Sequence, residues 1–296
     1  AVVFVVIVAY GSISFPEVYT DEIYEDWNLV EDRLNTELFS DEFTTQPYVK
    51  WFLLEQSMLL FGSYKMIPLF SSMALLAVTY LFTTSLTKNR LSGLVSVGIV
   101  LQSYTFLTFD TSSTYTTFWI LFYLVSLYAV VKLWFTNPIF YVASIFCKTL
   151  TALFAPMSIF FIFNSDIPKN QKIILISSIV VLLVVGGMIF LGTQASDKLT
   201  PFETDRFWEG FTSFAFQMRL DPITILFLIP LIFGLFLSSK KNKHANSISI
   251  LIAGILLSGP LLAGITDQTN QPYRFMSIIV FFAVGVGILF PKIKQI

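Results

Sequence analysis

Long apolar runs separated by short polar turns organise this chain. Runs at residues 66–86, 91–109, 116–134, 173–191, 223–237, 248–265 and 275–290 are each apolar enough to predict a membrane-spanning helix. The run at residues 1–10 is too short to span. It is read as the end of a first spanning helix, with chain expected before Ala1. A β-barrel would show alternating segments of about ten residues, and these runs do not alternate. The predicted fold class is therefore all-α: a polytopic transmembrane helical bundle of about ten membrane segments. Residues 1–296 form one transmembrane domain, with no soluble domain, repeat or low-complexity tract.

The run at residues 138–163 is ambiguous by length alone. It has Lys148 near its centre and Pro156 beyond it. As one tilted helix it would throw every later lysine turn to the opposite side. As two short half-helices that enter and leave on the same side, it keeps Lys169, Lys172, Lys240, Lys241, Lys243, Lys292 and Lys294 with Lys88, Arg90 and Lys132. The positive-inside bias favours the half-helices. A lysine is also costly at the bilayer midplane but tolerable at a hairpin tip facing a cavity.

Two polar stretches then fall on the outer side, residues 14–65 and 192–221. The first holds ten of the nineteen acidic residues between Ser14 and Tyr48. Ile23, Trp27, Val30 and Leu34 recur at helical spacing, which predicts an amphipathic surface helix over residues 21–38 with Thr20 as its N-cap. Residues 49–61 predict a second surface helix ending at Gly62.

Composition narrows the function classes. Only 12% of residues are charged, against roughly 25% in an average soluble domain. The net charge of −1 is uninformative about nucleic acid, but there is no basic stripe and no nucleic-acid partner is expected. The lone Cys147 makes no internal disulfide, and there is no cleavable signal pattern. No P-loop, dinucleotide fingerprint or zinc-type spacing is present, and His244 is the only histidine.

Several short elements follow one another in a distinctive order: Asp21-Glu22, then Gln46-Pro47-Tyr48, then Phe61-Gly62, then a small-residue helix ending at Lys88-Asn89-Arg90. Ser126-Leu127-Tyr128 and Cys147-Lys148-Thr149 come later. Over residues 20–163 this layout resembles the GT-C-type polytopic membrane glycosyltransferases, in the group of dolichyl-phosphate-mannose protein mannosyltransferases and aminoarabinose transferases. Where members carry Arg and Asp after the third helix, this chain has Thr111, Thr114 and Thr116, with Asp110 nearby.

The resemblance implies transfer of a sugar from a polyprenyl-phosphate-linked donor to an unidentified acceptor on the non-cytoplasmic side. The protein would be a multi-pass protein of a prokaryotic cell membrane or an ER-type membrane, with membrane complex partners left open. Such chemistry needs a carboxylate to take the acceptor proton and cations to hold the leaving phosphate. Asp21 is the first candidate base, with Glu22 beside it; the ordinary alternative is that both solvate a helix start. Lys148, Arg206 and Arg274 are the candidate phosphate ligands. Their ordinary alternatives are snorkelling for Lys148, and for Arg206 pairing with Asp205, Glu209 or Asp221. Asp110, Gln46 and Tyr273 are candidates for a second acidic or sugar-binding group. A divalent metal, magnesium or manganese, stays open as a cofactor, with Asp21 and Asp110 its candidate ligands. The alternative function is a non-catalytic membrane subunit, or a lipid or solute transporter, on the same scaffold.

Overall fold

The computed structural model describes residues 1–24, 26–35, 47–191, 200–240, 242–265 and 272–290. Among these residues there are helices and turns and no strand. The helices are α1 (Val2–Ser14), α2 (Trp27–Asn35), α3 (Tyr48–Phe61), α4 (Met66–Thr87), α5 (Arg90–Leu101), α6 (Tyr104–Phe109), α7 (Phe118–Lys132), α8 (Asn137–Cys147), α9 (Ala155–Asn164), α10 (Lys169–Leu191), α11 (Thr204–Gln217), α12 (Pro222–Ser238), α13 (Lys243–Ile265) and α14 (Met276–Leu289). Four helical stretches are long and apolar enough to cross a membrane: Val2–Tyr19, Met66–Thr87, Lys169–Gly186 and Lys243–Ile265.

The centre of the bundle is α14. Its sequence is apolar on every side, and a helix of that kind must be covered all round. Twelve of its residues are buried, including Phe281 and Phe282. It packs against α4, α5, α12 and α13. The closest approach is at Gly287, where a Cβ would meet Ser96 Oγ, lie 2.5 Å from Thr83 Cγ2 and lie 2.9 Å from the Ser92 carbonyl oxygen. Gly287→Ala is therefore expected to destabilise the protein by about 1–3 kcal/mol. Gly98→Ala on α5 meets no atom within 4 Å and should be neutral or slightly stabilising. Thermal unfolding of the two variants in detergent, followed by tryptophan fluorescence, checks the contrast. Equal melting temperatures would mean that the α14 packing is looser than described.

Three expectations need correction. The first surface helix begins at Trp27, not at Asp21. Thr20 caps nothing there; its hydroxyl donates back to the Glu17 carbonyl at 2.8 Å and closes the 3-10 turn Phe15–Tyr19. The apolar run 91–109 is two helices. Ser103 accepts from the Phe106 amide at 3.1 Å and so starts a new helix, α6. Asp221, from the start of α12, accepts from both the amide and the hydroxyl of Thr105 and holds that break in place. The stretch 192–221 contains a helix, α11, which packs along α13 and presents Trp208 and Phe216 outward.

Residues 138–163 form α8 and α9, joined by a 3-10 turn over Thr149–Phe154. Pro138 and Pro156 sit in the first turns of their helices, where a missing N–H costs nothing. Lys148 lies at the junction in an extended conformation. Thr151 fastens the tip by donating to the Lys148 and Ser144 carbonyls, while the Tyr141 hydroxyl donates to the Thr151 carbonyl at 3.1 Å.

Candidate anion and carboxylate site

The loop 110–117, between α6 and α7, is the floor of the site. It reads Asp-Thr-Ser-Ser-Thr-Tyr-Thr-Thr, and all but Tyr115 are buried. So many buried hydroxyls require partners, and the first loop supplies them. Glu22 accepts from the Ser112 hydroxyl at 2.9 Å and the Ser113 amide at 3.0 Å. Glu17 accepts from Thr111 at 3.2 Å. This explains why residues 20–24 stay out of a helix: their polar groups are spent on a loop about ninety residues away. Lys65 closes the acidic side. It donates to the Asp21 carbonyl at 3.0 Å and lies 4.0 Å from Glu22.

A cationic side adjoins it. The Lys148 ammonium is shielded from solvent and has no hydrogen-bond partner among the described residues. It lies over the Tyr273 ring at 3.7 Å and over Trp119 at 5.0 Å. The charges that act on it are Arg274 and Lys50, both positive. Arg274 sits 6.0 Å from the centre of the same Tyr273 ring. Lys50, near the start of α3, donates to the Thr114 carbonyl at 2.6 Å. Burial pushes its pKa down to about 8, against the opposing pull of Glu22 and Asp26. The run of neighbouring charges is thus Glu22, Lys50, Lys148, Arg274. Over it, Tyr115 stacks on Tyr273 with ring centres 4.2 Å apart, and its hydroxyl donates to Asp26 at 2.5 Å.

The candidates named from sequence fall in different places. Lys148, Arg274 and Tyr273 come together. Glu22 joins them through Lys50, whereas Asp21 is exposed and contributes its carbonyl to Lys65. Asp110 belongs to another network. It is 1% exposed and accepts from the Tyr10 hydroxyl at 2.5 Å and the Ser14 hydroxyl at 3.1 Å. Burial, reinforced by the charge of Glu17, raises its pKa to about 6 despite those bonds. Arg206 is paired with Glu203 at 2.8 Å, one helical turn away, and both are substantially exposed. Among the described residues Asp221 serves Thr105 and not an arginine. Gln46 lies outside the described residues. Among the described residues no three His, Cys, Asp or Glu side chains come together in a way that could hold a metal ion.

Sequence reasoning missed Lys50 and Tyr115. The signal for Lys50 was a lone lysine in an apolar surface helix beside Trp51. Compared with known proteins, the chain matches no family model, no curated protein and no solved structure.

Proposed function

We propose that the chain is an integral-membrane glycosyltransferase that moves a sugar from a polyprenyl-phosphate-linked donor to an acceptor on the non-cytoplasmic side. The observation that carries this reading is the buried Lys148 ammonium. An unpaired ammonium costs several kcal/mol to bury, and Arg274 and Lys50 add to its need for an anion. A phosphate is the ligand of matching charge, and a donor with a polyprenyl tail is one that a membrane helix bundle can hold. In the wider reading, α7, α12, α14, the α5–α6 pair and the two half-helices α8 and α9 join the four long helices to make about ten segments on a GT-C-like plan.

The chemistry balances with the residues named. The acceptor oxygen attacks the anomeric carbon while the bond from that carbon to the phosphate oxygen breaks. Glu22 takes the acceptor proton, and the phosphate leaves with the bonding electrons onto Lys148 and Arg274. Glu22 replaces Asp21 as the first-choice base, because it is the one in the run of neighbouring charges. A second reading, a non-catalytic membrane subunit or transporter, is favoured by how fully Glu22 is engaged: two hydrogen bonds and a nearby lysine already occupy its carboxylate.

Transfer of labelled sugar from a polyprenyl-phosphate donor by reconstituted protein separates the two. Glu22→Gln is expected to lower turnover by about 10²–10⁴-fold, and Asp21→Asn to leave most of it. Equal turnover by Glu22→Gln and wild type removes Glu22 from the chemistry. Phosphate binding without any transfer by wild type supports the second reading.

A further inference from the structure

The anion-binding reading of Lys148 and Arg274 leaves one cation of the cluster without a role. Lys50 is half-buried, and a lysine ammonium has three N–H donors. A single hydrogen bond, to the Thr114 carbonyl, is made by it among the described residues. Two of its three donors are thus left for a further partner.

The placement of Lys50 is specific. The first turn of α3 is fixed against the end of α8, with the Tyr48 and Phe146 rings in contact. That contact leaves Lys50 within electrostatic range of Cys147 and Lys148. Its hydrogen-bond partner, Thr114, stands between two residues that matter on either side. Ser113 holds Glu22 through its amide, and Tyr115 stacks on the Tyr273 ring that covers Lys148. Lys50 thus touches the hydroxyl loop while facing the cationic cluster.

We propose that Lys50 is a third anion-holding residue, binding the phosphate together with Lys148 and Arg274 while it remains bonded to Thr114. The phosphate is then tied directly to the loop that positions Glu22. The inference rests on the anion-binding reading above and extends it: holding the anion becomes dependent on a titrating lysine. The groups that face Lys50 are Glu22 and Asp26 from the first loop, Cys147 from the end of α8 and Lys148 from the hairpin tip. Burial outweighs the two carboxylates, so Lys50 gives up its proton near pH 8.

The test is binding of farnesyl phosphate to the full chain in detergent, by titration calorimetry, from about pH 7.5 to about pH 9.5. Across this range the phosphate itself does not titrate. Wild-type affinity is expected to fall about tenfold as Lys50 loses its charge. Lys50→Arg, which stays charged, should bind as wild type does at the lower pH and lose the pH dependence. Lys50→Met should bind at least fivefold more weakly at the lower pH and also lose the pH dependence. Wild-type affinity in Lys50→Met, or an unchanged pH limb in Lys50→Arg, overturns the role of Lys50. Equal losses in both variants overturn it too, because they assign Lys50 to the fold alone. Lys148→Gln separates the two levels. If it binds like wild type, the anion reading beneath fails; if it loses binding while Lys50→Met does not, only the role of Lys50 fails. Inorganic phosphate and farnesol complete the comparison. Binding of farnesyl phosphate alone supports a lipid headgroup, and binding of both phosphates supports a free-anion site with the same three ligands. Equal binding of farnesol overturns both levels.

Discussion

Lys148→Met is expected to make the protein more stable and unable to hold a phosphomonoester. The ammonium is buried without a hydrogen bond among the described residues and has two positive neighbours. Two effects oppose each other when it is removed. The contacts with the Tyr273 and Trp119 rings at 3.7 and 5.0 Å stabilise the folded state by about 0.5–2 kcal/mol. Desolvation of an unpaired ammonium costs several kcal/mol and outweighs those contacts. Methionine has a similar length, and its sulfur packs well against the same rings. The melting temperature should therefore rise by a few degrees, while affinity for farnesyl phosphate falls by about a hundredfold or more. The two readouts come from one experiment: thermal unfolding with and without farnesyl phosphate, since a ligand that binds only the folded state raises the transition. A lower melting temperature in Lys148→Met would show that the ammonium is satisfied within the fold. An undiminished ligand shift would remove Lys148 from the anion site.

Much of the helical framework was legible because apolar runs are a local signal. The chain at residues 66–86 is apolar with no acid or base, and α4 occupies Met66–Thr87. What escaped was decided by partners distant in sequence. Nothing in Val100-Leu101-Gln102-Ser103-Tyr104 marks a helix end by hydropathy. The end exists because Ser103 caps α6 and because Asp221, over a hundred residues later, receives the Thr105 amide. The start of α2 is similar. Residues 21–26 have helical spacing, but Glu22 is held by Ser112 and Ser113, and that long-range pairing outweighs local propensity. The helix α11 was legible in principle. Phe207, Phe211 and Phe214 recur at helical spacing, and Glu203 stands three residues before Arg206.

The site was legible by residue type more than by residue. An acidic pair after the first helix stood out, yet sequence could not say which member turns inward; the backbone at residues 20–24 decides, and it presents Glu22 to the hydroxyl loop. Lys148 stood out because a lysine inside an apolar run is rare. Arg206 stood out for its type but is neutralised locally by Glu203, a surface pair of little energetic weight. Tyr115 was one polar residue among eight and carried no mark of its own. It matters because the chain returns to Tyr273 and stacks it at 4.2 Å.

Asp110→Asn is expected to remove a pH dependence of stability that runs opposite to the usual acid behaviour. The Asp110 carboxyl has an ordinary value of 3.8 and is raised to about 6 in the folded chain, first by burial and then by the nearby charge of Glu17. A group whose folded value is raised binds its proton more tightly when folded. Its contribution to stability is therefore present below about pH 4 and is lost as pH rises through about 6. The full span is on the order of 3 kcal/mol. Asparagine cannot titrate, yet its amide oxygen can still accept from Tyr10 and Ser14, so the tie between α1 and the loop persists. Asp110→Ala removes that acceptor. It leaves two buried hydroxyls unpaired, at a cost of about 1–3 kcal/mol each, while the bond from Ser72 to the main-chain carbonyl of residue 110 survives. Denaturant unfolding at pH 4, 5, 6 and 7 measures the difference between wild type and each variant, which cancels the contributions of the other acids. Wild type should lose stability relative to Asp110→Asn as the pH rises, and Asp110→Ala should be the least stable of the three at every pH. A constant difference between wild type and Asp110→Asn would place the Asp110 carboxyl near its ordinary value. The Tyr10 and Ser14 hydroxyls would then hold it as a charged group against the repulsion of Glu17, with α1 fastened to the site floor by a carboxylate and not by a shared proton.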